Sequence, residues 1–247
     1  MEYKIIRDWH THTVYSRLGL YFHGKGTIMQ NVRAAHEQGL EEVAITDHGP
    51  RGVYGLNPGK LPQMRKDIAE AQAKYPDVRV LLGVEANIVD SDNGIDIEPE
   101  HINDYDFINA GYHYVIPGAH AAANLIAFKF WAPDFVKEKL RTFNTRIVLK
   151  ALYSNDIKVL THPGDKAYVD LDAVARACEE TGTLMELNAR HRHMNVEEIR
   201  RVAKYGVDFI IGSDAHKPKD VGRYAKTLGL ALAAGVEIWR IINVRER

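Results

Sequence analysis

The sequence predicts an α/β chain, a distorted (β/α)7 TIM-like barrel in a single domain over residues 1–247. Three observations point there. Apolar, β-branched runs alternate with amphipathic helical patterns along the whole chain. There is no Gly-x-Gly-x-x-Gly turn and no phosphate-binding loop motif, which disfavours an open nucleotide-binding sheet. Seven such strand-like runs occur in one chain, each apolar until its C-terminal end, where potential ligands appear.

Taken in order, a first strand is expected at 3–9, then a helix at 27–39 stopped by Gly39 and a strand at 42–47. A helix at 61–75, ending before Pro76, leads into a strand at 78–86. The polar stretch 90–100 carries an Asn-Gly turn and reads as a surface hairpin or loop. After a strand at 105–112, the segment 113–133 is read as an insertion near the barrel mouth or an extra helix. The remaining strands are 157–162, 183–188 and 208–214, separated and followed by helices at 134–155, 170–181, 195–205 and 223–234. Gly182, Gly206 and Gly235 supply the expected helix stops.

Composition narrows the function classes. With 45% hydrophobic residues the chain can build a sizeable core, and 32 basic against 33 acidic side chains leave a net charge of -1. No global field therefore attracts nucleic acid or an anionic membrane. The single cysteine, Cys178, excludes an intramolecular disulfide and any multi-cysteine metal site, and its helical setting predicts a buried structural thiol. No charged leader precedes an apolar run, and no run nears the roughly 18 residues that span a bilayer, so a cytoplasmic location is expected.

The polar residues carry the functional signal. On a strand, Asp8, His10 and His12 share one face, because side chains alternate. His10 and His12 end the first strand, Asp47 and His48 the second, Glu85 the third, His113 the fourth and His162 the fifth. Asn188 ends the sixth, and Asp214 and His216 the seventh. A parallel barrel gathers those ends on one rim. Any one of these histidines can be a satisfied polar residue at a loop start, but a rim of imidazoles and carboxylates points to a metal site. His36, His101 and His120 lie off this rim and are expected to be structural.

The motifs "DWHTHT" at 8–13, "AITDHGP" at 44–50, "GVEANI" at 83–88, "GYH" at 111–113, "THPG" at 161–164 and "GSDAH" at 212–216 resemble the PHP (polymerase and histidinol phosphatase) superfamily of metal-dependent phosphoesterases. They run in order over essentially the whole chain and look most similar to stand-alone YcdX-like phosphatases. That resemblance implies three divalent ions, zinc, with manganese or iron as alternatives. It implies one ion on His10, His12, Glu85 and Asp214, a second on His23, His48 and His216, and a third on His113 and His162 with Glu85 bridging to the first. His23 follows a lengthened loop, "RLGLYF", which is able to displace it. Glu85 reads as the only glutamate at these strand ends, and a carboxylate can bridge two cations where a neutral imidazole cannot. Asp8 and Asp47 fit as acceptors that orient the ligand imidazoles from behind.

Clustered divalent ions bind phosphate, acidify a shared water to hydroxide and stabilise in-line displacement, so hydrolysis of a phosphomonoester of a small metabolite is the leading expectation. Ser16, Ser91, Ser154 and Ser213 lack a Gly-x-Ser-x-Gly setting, which argues against a covalent route. Arg17, Lys25, Arg51, Arg190 and Arg223 fall in or near post-strand loops, with Arg190 and then Arg17 favoured for gripping substrate. His191 and His193 share the Arg190 loop and read as capping or exposed residues, with substrate contact as the alternative. Narrower or rival activities are a histidinol-phosphate phosphatase and a nuclease or oligonucleotide phosphodiesterase; balanced charge argues against extended nucleic-acid binding. From another class, the chain could be a catalytically silent metal-binding structural or partner-binding domain. The expected partner is a small phosphate ester, with no membrane, and the oligomeric state is left open.

Overall fold

The computed structural model describes residues 2–114, 116, 119–191 and 194–246. Short strands rich in Val, Ile and Leu are placed where one face meets the barrel interior and the other meets helices, so most of their residues are buried. These are β1 (Tyr3–Ile5), β2 (Arg7–Asp8), β5 (Glu42–Ile45), β6 (Arg79–Asn87), β7 (Phe107–Gly111), β8 (Ile157–Leu160), β9 (Leu184–Asn188) and β10 (Phe209–Gly212). Two-residue strands β3 (Arg17–Leu18) and β4 (Tyr21–Phe22) make a small hairpin, and β11 (Val244–Glu246) pairs antiparallel with β1. The main sheet runs β10-β9-β8-β7-β6-β5-β2, parallel throughout. Seven parallel strands thus curl into a nearly closed barrel within a single domain.

The seam lies between β2 and β10, and two devices close it. At the C-terminal end Thr11 bridges Ala215, with His12 N donating to Ala215 O at 2.8 Å. At the other end the buried Asn243 side chain donates to Arg7 O and Ile211 O, each at 2.8 Å, and accepts from Ile211 N at 3.1 Å. One amide therefore satisfies backbone groups on both edges that closure leaves without ladder partners.

Helices α1 (Ile28–Glu37), α2 (Leu61–Lys74), α3 (Ala119–Lys129), α4 (Asp134–Ser154), α5 (Leu171–Thr181), α6 (Val196–Val202) and α7 (Ala225–Ala233) surround the sheet. Their ends follow local chemistry: Thr27 with Gln30 and Asn195 with Glu198 form capping boxes on α1 and α6. Asp170 caps α5, which stops at Gly182 in the left-handed region, φ 71°. The α5 stripe buries Val174, Ala175 and Cys178, and burial pushes the Cys178 thiol up from its ordinary value, as fits a structural cysteine. His36 pairs with Asp77, His101 with Asp104, and His120 stacks on Phe143, so these three histidines have partners away from the rim. No helix among the described residues is long and apolar enough to cross a membrane.

Two expectations are adjusted and, for 113–133, one of two alternatives is met. The first strand is broken at Ile6 and ends at Asp8, because the chain then leaves β5 to bridge Ala215 across the seam. Residues 113–133 contain the extra helix, α3. The 90–100 stretch does turn at Asn93-Gly94, but it folds inward as well, burying Ile95, Asp96 and Ile97. Replacing Asn243 by Ala strands three backbone groups at the seam and is expected to cost roughly 3 kcal/mol; equilibrium urea unfolding measures it, and a change under about 0.5 kcal/mol would deny the seam its clasp.

Candidate metal centre

The barrel is parallel, so its strand ends present their last side chains to one pocket. Glu85, near the end of β6, is fully buried at its centre. Its Oε1 lies 2.9 Å from His162 Nε2, 3.2 Å from His10 Nε2 and 3.4 Å from His113 Nε2. Its Oε2 lies 2.9 Å from His48 Nδ1, too bent for a hydrogen bond, and 3.6 Å from His12 Nε2. Asp214 Oδ1 sits 3.3 Å from His12 Nε2 and 3.1 Å from His216 Nδ1. The His12 ring centroid is 4.3 Å from those of both His48 and His216.

Electrostatics explain why this cluster suits cations. Burial alone drives the His10 imidazole towards neutrality, but Glu186, Glu85 and Asp214 reverse the effect and hold its pKa well above the ordinary value. Burial opposes ionisation of Glu85 and Asp214 too, yet the His10 charge keeps both well below the usual carboxylate range. Burial holds His12 and His162 well below 6.5, and His113 down to about 4, so their ring nitrogens offer lone pairs at neutral pH. Glu85 Oε2 and His113 Nε2 are buried polar atoms without a hydrogen-bond partner. Four overlapping triads have donor atoms within 4.8 Å of one another: His12-His48-His216, His10-Glu85-His162, His10-His12-Asp214 and His48-Glu85-His113. Oxygen and imidazole donors, orphaned and turned together, fit divalent metal ions.

His23 follows the β3–β4 hairpin and lies at the edge of the cluster, its ring 4.4 Å from His216 and stacked on Tyr54 at 4.4 Å. Burial beside His216 and His48 lowers its pKa to about 3. It is not part of the four triads.

Asp8 and Asp47 take different work from that expected. Asp8 accepts from the backbone amides of His10, Ser213 and Gly222, and Asp47 from Thr13 N, Thr13 Oγ1 and Ser16 Oγ. Both carboxylates hold backbone amides and hydroxyls of the loops at the rim rather than imidazole nitrogens. The carboxylate behind an imidazole is Glu186 on β9. Its Oε1 accepts from His10 Nδ1 at 2.6 Å and its Oε2 from His162 N at 2.7 Å and Asn188 Nδ2 at 2.9 Å. Glu85 is therefore not the only glutamate serving the rim. The signal was present in "MELN", where strand alternation puts Glu186 on the face of Asn188. His113 is backed by a neutral group instead: Asn87 Oδ1 accepts from its Nδ1 at 2.8 Å, and Asp96 holds the Asn87 amide.

The pocket above the cluster, about 150 Å³, is lined by Tyr54, Tyr114, Lys166, Arg190 and His191 together with His23, His48, His113, His162, Asp214 and His216, while His10, His12 and Glu85 lie beneath its lining. Arg190 reaches 3.4 Å from Asp214 Oδ1 and contacts His216. His191 Nε2 lies 3.1 Å from Asp214, so it faces the site, whereas His193 lies outside the described residues. Arg17 does not line this pocket; it sits on the exposed hairpin over Phe22, beside a surface hollow with Tyr15 and Lys60. Lys25 lies over Tyr21, and Arg51 and Arg223 pair with Glu98 and Asp220. Among the described residues, three non-glycines have left-handed backbones, His162 (φ 33°), Lys166 (φ 68°) and Asp214 (φ 50°), and all three line the pocket. Strain of this kind persists only where surrounding contacts impose it.

Gly212 gives Glu186 its room, since a Cβ there would lie 1.9 Å from Glu186 Oε1. Gly212→Ala is expected to push the carboxylate off His10 and cost about 1–3 kcal/mol; thermal or urea unfolding reads the loss, and an unchanged stability would show that Glu186 shifts freely.

Comparison with known proteins accords with this geometry. Curated relatives named probable phosphatases include one from Acetivibrio thermocellus, 30% identical over 92% of this chain and 86% of its own. Another, from Thermoanaerobacter sp. (strain X514), is 29% identical over 97% of this chain and 91% of its own. A histidinol phosphate phosphatase from Lactococcus lactis, solved with zinc, L-histidinol and phosphate, superposes with a TM-score of 0.63 at 16% identity, covering 94% of each chain, a likeness of fold. The PHP domain model matches residues 8–190. With most of its length inside that match, the chain belongs to the PHP domain family.

Proposed function

We propose that this protein is a metal-dependent phosphatase that hydrolyses a small phosphomonoester at three divalent ions, zinc by preference, gathered around Glu85. The observation that carries the reading is Glu85 itself, a fully buried carboxylate with four imidazoles within 3.4 Å of its two oxygens. His10, His12 and Asp214 with Glu85 would hold one ion, His48 and His216 with His23 beside them a second, and His113 and His162 with Glu85 a third. When bound, the ions supply Lewis-acid charge to the phosphoryl oxygens and acidify water. The zinc of the Lactococcus protein and the phosphatase names of the relatives support the choice. In this reading the whole chain acts as one domain in the cytoplasm, to which its lone buried cysteine is suited.

The chain's own groups do the rest. Glu186 accepts the His10 Nδ1 proton and so turns Nε2 to the pocket, and Asn87 does the same for His113. Arg190 and Lys166 place cationic donors on the pocket wall where phosphoryl oxygens would sit. Tyr54 and Tyr114 wall the same space and narrow the access of bulk water. No Ser, Thr or Cys is among the described lining residues, which supports a water nucleophile in this reading.

Elemental analysis of the purified protein, paired with phenyl phosphate hydrolysis before and after chelation, tests the reading. Close to three equivalents and chelator-sensitive turnover are expected; under one equivalent with no turnover on adding zinc or manganese would favour a silent domain. Glu85→Gln should lower kcat by more than about 100-fold and reduce the metal content, because an amide cannot bridge cations as a carboxylate does. Glu186→Gln keeps the volume but loses the charge behind His10, and is expected to weaken metal affinity by about 10–100-fold. Competition with a fluorescent zinc chelator measures that affinity, and an unaltered value would sink the orienting role of Glu186.

A further inference from the structure

We infer that a groove beside the metal pocket receives the alcohol half of the ester, and that the preferred alcohol carries a negative charge of its own. The inference rests on the phosphatase reading and extends it to substrate class. The metal pocket encloses about 150 Å³, below the roughly 300–1,000 Å³ of pockets that enclose a whole metabolite-sized ligand. A second cavity of about 630 Å³ opens between the end of β9, α6 and α7. Arg190 and His191 line both spaces, so a phosphoryl group at the rim has its ester oxygen facing the groove across those two residues.

The lining of the groove selects a ligand chemistry. Its floor is apolar, with Met194 and Ile199 buried beneath it. Its charged groups are Arg190, Arg223 and Lys226 against a single carboxylate, Glu198. Glu198 is engaged in the α6 capping box, its Oε2 accepting from Asn195 N at 2.9 Å. Arg223 pairs with Asp220 and Arg190 with Asp214, which leaves Lys226 as the groove cation without an ion-pair partner among the described residues. The chain as a whole carries a net charge of -1, so this excess of cations is local. A carbon skeleton with a carboxylate or second phosphate at its far end matches an apolar floor and a cationic rim. An ammonium-bearing alcohol such as histidinol meets like charge there and is disfavoured.

A series of esters on one aryl core tests this: phenyl phosphate, 4-(carboxymethyl)phenyl phosphate, 1,4-phenylene bisphosphate and 4-(aminomethyl)phenyl phosphate. With the metal-loaded protein at low salt, kcat/KM for at least one anionic ester should exceed that for the ammonium ester about 10-fold or more. Carboxylate against bisphosphate then identifies which anion is preferred. Lys226→Glu should collapse the anionic-to-ammonium ratio about 10-fold, whereas Lys139→Glu on α4 should leave the ratio unchanged. Equal turnover of the charged esters, or a ratio untouched by Lys226→Glu, overturns the inference. Failure to hydrolyse even phenyl phosphate would count against the phosphatase reading instead. In that case calorimetric titration with the matching carboxylate and ammonium benzylphosphonates decides: tighter anionic binding that Lys226→Glu abolishes upholds the groove, and equal affinities refute it.

Discussion

Everything at the mouth of this barrel depends on one constraint, the burial of Glu85 among imidazoles and away from bulk solvent. A carboxylate excluded from solvent is tolerated only beside cations or donors. Here Glu85 has the protonatable His10 on one side and His48, His113 and His162 on the others. Asp214 and Glu186 add two further buried carboxylates to the same few ångströms, and together they pull the His10 pKa upward against its own burial. Such a concentration of charge and lone pairs stabilises little by itself. It becomes favourable when divalent ions enter, so folding energy at the rim is spent on a site that metal completes.

The scaffold keeps that site in shape by means that are not ligands. Asp8 and Asp47 tie the loops after β2 and β5 through backbone amides and hydroxyls, and Asn243 closes the seam at the far end. Left-handed backbones at His162, Lys166 and Asp214 aim side chains that a relaxed chain would direct elsewhere. Gly111 and Gly212 leave out the Cβ atoms that would collide with Thr161 and Glu186. Rigidity of this sort lets several histidines hold their spacing while they await a counter-charge.

Function is divided between two neighbouring spaces. The small one is lined by groups that suit a phosphoryl oxygen and little else, while the larger one has the apolar floor and cationic rim that discriminate among alcohols. Arg190 stands where the two meet, in contact with Asp214 and His216 of the rim cluster. That division follows the general pattern in which a rigid scaffold positions the loops that carry function.

Much was legible in the sequence because it rests on local periodicity. Alternation of apolar strands with capped helices predicts a parallel barrel, and in a parallel barrel chain direction alone brings His10, His12, His48, Glu85, His113, His162, Asp214 and His216 to one end. The tertiary structure decided what depends on angles and approach. Glu186 lies inside a strand rather than at its tip, and only the approach of the chain after β2 and after β8 brings His10 Nδ1 and His162 N to its carboxylate. Asp8 looks equivalent to the histidines by alternation until the strand breaks and its carboxylate turns to Ser213 and Gly222. Arg17 and Arg190 are alike as residues following strands; the hairpin carries one away, and the β9 loop folds the other over the rim. The cationic groove is assembled from α6 and α7, whose side chains meet only once the sheet curves, because curvature is a property of the whole sheet and is written in no single segment.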